Sequence, residues 1–538
     1  MKINQCAKIA VLTIMTLTLS SCGHSIKFAD LAPVTDSHDD NPIDLPESSD
    51  FDMKNYVFEV LVERPAINAL DVSPVKEAGD VNSMDNVPTS SWYEPRLGYK
   101  RISPEELLRG PEEVGPPVAP LTVAKAKTGG GNPGFIIEDS RGELYLMKFD
   151  PPEFPAIETT TALIVNRLFW GFGYNVPEDY LYFFAPEELT VKKGSAITRE
   201  DVDLVLSKVA PPIDGQYRTT VSYFIKGNIL GPLSQVGVRK DDKNDRVNHE
   251  NRRVLRALKV FGAFTNHSDM RIDNSLDVYV GDEGKGYVKH YLLDFGEAFG
   301  GHGAEHDRMW DGFEHLYSVK KIFRNIATLG LVIEDWENLK YTKWKSVGAF
   351  ESEAYDPATW KETWPYEPIR ISRRADDYWA AKILGALTRE HLEVLIKEAR
   401  YPEEAAADYM LKTILERQKK TLRYFLYNVT PLEYRGIRSG SIQFEDIGKT
   451  ILGNENSPAE YQTHFYDSNS NQIGNQINVI SDKSFFSIPL DREVIINSKG
   501  YFRVEVQLIL NGRKNPPPAQ FHFITGADNK PKLVGVVH

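Results

Sequence analysis

Cysteine is nearly absent from this chain: only Cys6 and Cys22 occur in 538 residues. That excludes a disulfide-stapled scaffold and a four-cysteine zinc site. Positive charge is also scarce, with 63 Lys and Arg against 76 Asp and Glu and a formal net charge of −13. Such a balance argues against nucleic acid or an anionic membrane surface as the main partner, because either calls for a basic patch. Long apolar runs are missing too. The run from Ile9 to Leu19 is too short to span a bilayer as a lasting helix. There is no Gly-x-Ser-x-Gly nucleophile elbow, and no repeat recurs at a fixed period. What is present is the composition of an ordinary globular protein, long enough for two to four domains.

Lys2 and Lys8 precede the Ile9–Leu19 run, which therefore reads as a secretory signal. It ends in Leu19-Ser20-Ser21-Cys22-Gly23, which resembles a bacterial lipobox. The resemblance implies a signal peptide over 1–21, lipidation of Cys22, and a lipid-anchored protein of the Gram-negative cell envelope. Gly23 after the Cys points to the outer membrane. Residues 22–55 are polar and acidic without an apolar period, as in Asp36-Ser37-His38-Asp39-Asp40, and read as a disordered tether. Residues 56–120 alternate short apolar runs with Pro and Gly and read as an extension lying on another domain.

From Leu121 the pattern becomes regular. Leu121 to Lys127, Phe135 to Asp139 and Leu144 to Phe149 read as three strands, the first two joined by the glycine-rich link Thr128 to Gly134. Ile157, Thr161, Ile164 and Leu168 recur at helical spacing beside a second stripe of Ala162, Val165 and Phe169, so this helix is packed on both sides. Tyr180 to Phe184 and Arg218 to Ile225 predict further strands around a polar insert, and Gly227 to Pro232 a hinge. Asn248 to Phe264 predicts a helix, and residues 305–430 a mostly helical region. Beyond Gly440, Phe502, Val504, Val506, Leu508 and Leu510 alternate with other residues and precede the turn pair Asn511-Gly512. Residues 436–538 are therefore expected to form a small β-sandwich.

The stretch from His267 to Gly300 carries the chemistry. It contains His267-x-Asp269-x-x-x-x-Asn274 and, twenty residues on from Asn274, Asp294-Phe295-Gly296. Lys148 closes the third strand and Glu158 opens the next helix. This ordered series resembles the protein-kinase-like superfamily over residues 120–430. Asp294-Phe295-Gly296-x-x-x-Gly300 looks closer to the phosphatidylinositol-kinase and HipA-type branches, and the chain has neither a Gly-x-Gly-x-x-Gly loop nor an Ala-Pro-Glu motif after Gly296. The resemblance implies an α+β, two-lobed protein-kinase-like fold. Its small lobe would span 121–230 and its helical large lobe 231–435, flanked by the N-terminal extension and an all-β C-terminal domain.

It further implies ATP and Mg2+ as cofactors, with a protein, sugar or lipid hydroxyl as acceptor. Asp269 would accept or orient the attacking hydroxyl, and Arg271 would meet the transferring phosphoryl group. Asn274 and Asp294 would hold the metal. Lys148, paired with Glu158, would hold the α- and β-phosphates, and Gly129, Gly130 and Gly131 would cover them with backbone N–H groups. His267 and Phe295 would pack together. Two alternatives stand beside this expectation. One is a catalytically silent kinase fold serving as an envelope interaction module. The other is a zinc hydrolase using His302-Gly303-Ala304-Glu305-His306, which matches HxxEH although its glycines disfavour the helix that motif needs.

Overall fold

Alternation along a few short strands decides which side chains reach the interior and which reach a cleft. The computed structural model describes residues 26–127, 133–192, 194, 196–301, 309–340, 342–453, 458–510, 512, 516–526 and 528–538. The fold is mixed α+β, with about 29% helix and 25% strand, so neither an all-α nor an all-β class applies.

Strands β1 (Leu121–Ala126), β2 (Gly134–Glu138), β3 (Leu144–Phe149), β4 (Asp179–Phe184), β5 (Leu189–Val191) and β6 (Tyr217–Tyr223) form one sheet in the order β4-β6-β3-β2-β1-β5. In β3, Tyr145, Met147 and Phe149 are buried in the core on one face. The period of two therefore puts Leu146 and Lys148 on the other face. Register places Leu146 opposite Ser222 and Lys148 opposite Thr220 on β6, while Ser222 also faces Asp179 on β4. One polar stripe thus runs across three strands. The insert after β4 is ordered: β5 pairs in parallel with β1, and Val202 and Leu206 of the helix Arg199–Leu206 join the sheet's core.

Helix α1 (Ile157–Phe172) lies on the side of this sheet that carries Leu146 and Lys148 and is buried almost all round, as its two apolar stripes predict. Its first turn is capped from a distance: both Glu158 and Thr159 donate their backbone N–H to Asp150 Oδ1 at 2.9 Å. Gly173 ends it with φ at 110°, and a Cβ there would lie 2.1 Å from the Tyr93 ring. A second sheet follows, β7 (Asn228–Gly231), β8 (Ser275–Val280) and β9 (Tyr287–Leu292). The expected hinge at Gly227 to Pro232 is therefore largely strand, held by pairing with β8.

The expected helix from Asn248 is broken into a single 3-10 turn, a short helix Arg253–Arg256 and α2 (Leu258–Thr265). Helices α3 (Val319–Ala327), α4 (Arg374–Gly385), α5 (Arg389–Glu398) and α6 (Glu404–Leu426) complete the helical region, with long irregular segments between α3 and α4. Buried Asp376 of α4 ties this region together by ion pairs to Arg253 at 2.9 Å and Arg256 at 3.2 Å. At the C-terminal end, β10 (Leu432–Arg438), β11 (Ser441–Asp446) and β14 (Phe485–Pro489) form one sheet. Strands β12 (Ala459–Tyr466), β13 (Gln472–Ser481), β15 (Tyr501–Ile509), β16 (Ala519–Thr525) and β17 (Pro531–Val537) form the other. Phe444, Phe486, Phe502 and Phe521 share one core there, and two short helices, Ile447–Leu452 and Arg492–Asn497, interrupt the strands.

The largest departure from expectation lies at residues 36–49. The acidic segment expected to be a disordered tether is an extended strap. The backbone N–H of Ser37 bonds Thr89 O at 2.9 Å, that of Ile43 bonds Gly286 O at 2.9 Å, and that of Ser49 bonds Leu230 O at 2.8 Å. Ile43 is buried with Leu230, Tyr279 and Val288. A Cβ on Gly231 would meet Ser49 O at 1.9 Å, so the strap lies directly on β7. Two buried residues, Ile43 and Pro46, backbone hydrogen bonds and the Asp39 carboxylate, which accepts from Ser91, hold it, and none of these produces a hydrophobic period in sequence. Ile43→Asp should therefore cost about 2–4 kcal/mol in urea unfolding and make residues 40–50 the first site of limited proteolysis. A change within about 0.5 kcal/mol, the range of surface substitutions, would contradict a docked strap.

Candidate functional site

Between the polar stripe of the first sheet and the second sheet lies a cavity of about 500 Å³, within the range of small-molecule sites. Leu146, Lys148, Thr220 and Ser222 line it from the first sheet, Glu158 and Ala162 from α1, and Ile229 and Leu276 from the second sheet. Arg271, Asp273 and Asn274 line it from the turn after α2, and Asp294, Phe295 and Gly296 from the turn after β9. Residues far apart in the chain thus meet at one place.

Lys148 Nζ lies 2.8 Å from Asp294 Oδ1 and donates a hydrogen bond to it. Proximity to the Lys148 ammonium holds the Asp294 carboxyl below its usual range, against the effect of burial. Burial also opposes the Lys148 charge, but Asp294, then Asp179 and Glu158, outweigh it and raise the lysine's pKa. The close partner of Lys148 is therefore Asp294, and the expected partner Glu158 acts on it as a nearby charge. Glu158 itself is buried at the start of α1, with Gly296 packed close beside its side chain. Asp294 adopts a left-handed backbone, φ 57° and ψ 65°, a conformation that Asp tolerates better than most residues.

The turn after α2 is self-bracing. Asn274 Nδ2 donates to Asp269 O at 2.7 Å and to Asp269 Oδ2 at 2.9 Å. Arg271 Nε lies 3.5 Å from Asp269 Oδ1 and 3.0 Å from Asp273 Oδ1, so one guanidinium stands between two carboxylates. Burial works against the Arg271 charge, yet these carboxylates raise its pKa. Asp269 touches the cavity lining through Asn274 and Arg271. Under the turn, His267 and Phe295 have ring centroids 5.7 Å apart, and Phe169 of α1 lies 5.0 Å from Phe295. Burial lowers the His267 pKa to about 4, so this ring is neutral at pH 7 and acts as packing.

Two acids lining the cavity escape sequence reasoning. Asp273 sits inside the motif spacing at an unspecified position; burial raises its pKa while Arg271 opposes the shift. Asp179, at the start of β4, accepts from Asn166 Nδ2 at 3.1 Å, and its Oδ1 finds no hydrogen-bond partner among the described residues. Burial pushes its pKa up to about 6, although the Ser222 hydroxyl, then Arg167 and Lys148, pull it down. Neither carried a motif; only register and burial, which depend on distant strands, mark them. Gly129, Gly130, Gly131 and Cys22 lie outside the described residues, as does the whole of His302 to His306. Among the described residues no group of three or more His, Cys, Asp or Glu could hold a metal ion by itself, and no helix is long and apolar enough to cross a membrane.

No protein-family model matches the chain, and no curated protein matches it. The site must be read from its own chemistry.

Asp179 offers a direct check of the electrostatics. Its folded-state pKa lies above the unfolded value of 3.8, so the native state is disfavoured as the carboxyl ionises. That penalty is absent below pH 4, grows as pH rises through 6 and is complete at pH 7.5. Asp179→Asn removes it. Relative to wild type, the variant should gain about 2–3 kcal/mol in unfolding free energy between pH 4 and pH 7.5, measured by urea titration. A difference independent of pH would contradict a buried, raised Asp179.

Proposed function

We propose that the chain is an atypical phosphotransferase with a two-lobed, protein-kinase-like fold, binding a Mg-nucleoside triphosphate in this cavity and phosphorylating a hydroxyl acceptor. The observation that carries the reading is the convergence of Lys148, Asn274 and Asp294 on one cavity whose remaining walls are largely apolar. Apolar walls suit a base, and a lysine with acids and an amide at one end suits phosphates and a cation.

The donor set fits a magnesium ion. Carboxylate and amide oxygens are the hard ligands it prefers, and one or two protein oxygens with phosphates and waters are enough. Asn274 commits its amide nitrogen to Asp269 and leaves the amide oxygen free of that pair. Asp294 and Asn274 would hold the ion, which when bound spreads the charge of the phosphates. Lys148 would exchange Asp294 for phosphate oxygens. Asp269, held by Asn274 and Arg271, would receive the acceptor's proton or fix its lone pair along the line of attack. Arg271 would add positive charge beside the transferring group. Lipid anchoring through Cys22 in the outer membrane belongs to the same proposal and rests on Leu19 to Gly23 alone.

One observation favours a second reading. With Lys148 closed on Asp294, the carboxylate needed by the metal is already occupied, as suits a silent nucleotide-binding module. The two readings separate in one experiment. Mg-ATP at millimolar concentration should raise the melting temperature of the full chain by a few degrees, and Lys148→Ala or Asp294→Ala should abolish the shift. Asp269→Asn should keep the shift but lower phosphoryl release to water or to an added hydroxyl acceptor by about 100-fold or more. A shift without wild-type turnover would select the binding module, and no shift would overturn both.

A further inference from the structure

Helix α3 is mounted inside out. Its apolar positions Ile322, Phe323 and Ile326 fall at helical spacing, and they are 51%, 68% and 66% exposed. Its polar side faces the protein. Lys321 Nζ binds Glu314 and lies 5.0 Å from the Trp336 ring centre, Trp336 Nε1 donates to Glu314 Oε1 at 2.8 Å, and Arg324 pairs with Glu334. The turn that follows continues the apolar display: Leu329, Leu331 and Ile333 are 86%, 81% and 67% exposed. Six large aliphatic and aromatic side chains within twelve residues are thus turned toward solvent. A helix held by its polar face with its apolar face outward has the reverse of the orientation a globular core dictates.

The charge around this display differs from that of the rest of the chain. Residues 316–345 contain six Lys or Arg and three Asp or Glu, a local balance of +3 in a chain of net −13. Lys340, Lys343 and Lys345 are exposed, while the α3 cations Lys321 and Arg324 are taken up by Glu314 and Glu334. Apolar side chains followed by exposed lysines are the pattern of a surface that enters the headgroup layer of an anionic bilayer. A soluble protein partner would be matched equally well by the apolar face but not by the reversal of charge sign against an acidic body.

We infer that residues 316–345 form a membrane-docking surface: Ile322, Phe323, Ile326, Leu329, Leu331 and Ile333 insert among the lipids while Lys340, Lys343 and Lys345 meet anionic headgroups. This surface is separate from the cavity and its role does not depend on the phosphotransferase reading. The net negative charge of the whole chain conceals such a local surface, because composition averages over all 538 residues.

The test uses the full chain carrying Cys22→Ser, so that no acyl anchor contributes, sedimented with vesicles of phosphatidylcholine alone or with about one third phosphatidylglycerol. The expected result is salt-sensitive binding to the anionic vesicles, weakened about tenfold or more by Phe323→Glu with Ile326→Glu, and likewise by Leu331→Glu in the turn, with melting temperatures unchanged. Since every variant keeps residues 1–25, binding through the signal segment would be the same in all. Equal binding by wild type and both variants, or no binding to anionic vesicles, overturns the inference. A concentration-dependent dimer in light scattering that the same variants abolish would show a second copy covering the face and overturn it as well.

Discussion

The contact on which the site depends is the 2.8 Å ion pair between Lys148 and Asp294, residues 146 positions apart. It ties the first sheet to the turn after the second sheet at the mouth of their shared cavity. Each charge answers a problem set by the other: burial disfavours both, and each relieves the other. Removing either partner leaves an uncompensated charge in a partly desolvated cleft. A ligand bringing its own anionic and cationic groups could exchange partners with both.

The rest of the structure fixes where those two groups lie. Strand period sends Lys148 to the cavity while Tyr145, Met147 and Phe149 hold β3 in its core. Asp150 caps α1 by taking two backbone N–H groups, which places Glu158 behind the pair and Phe169 against Phe295. Phe295 in turn packs on His267, which burial keeps neutral. The Asp294 turn and the Asp269–Asn274 turn are therefore braced through one cluster of tilted aromatic rings. The left-handed backbone at Asp294, which Asp tolerates better than most residues, directly precedes the packed Phe295.

What could be read from sequence was local or ordered. Strand alternation around Lys148, the two-sided stripe of α1 and the alternation of β15 all follow from short windows, and the structure has these elements within a few residues. The spacing of Asp269, Arg271 and Asn274 places them in one turn, where they bond one another. What could not be read depends on distant partners. Asp179 is distinguished only by its burial opposite Ser222. The strap at 36–49 is held by backbone bonds, Ile43, Pro46 and the Asp39–Ser91 contact, which leave no period. Pairing of Lys148 with Asp294 rather than Glu158 is a choice between two carboxylates lining the same cavity, and spacing alone does not make it. The apolar face of α3 has the period of a core-facing helix; its exposure and the ion pairs on its opposite side show that it points outward.

The central claim is that Lys148 and Asp294 are a phosphate and metal site held closed by mutual attraction. The most direct measurement is a crystal structure of the full chain with Mg2+ and a non-hydrolysable nucleoside triphosphate. The account predicts the Lys148 ammonium on phosphate oxygens, no longer at 2.8 Å from Asp294, and a metal bound about 2.1 Å from oxygens of Asp294 and Asn274. A nucleotide bound elsewhere, or a cavity that stays empty with the ion pair intact, would contradict it.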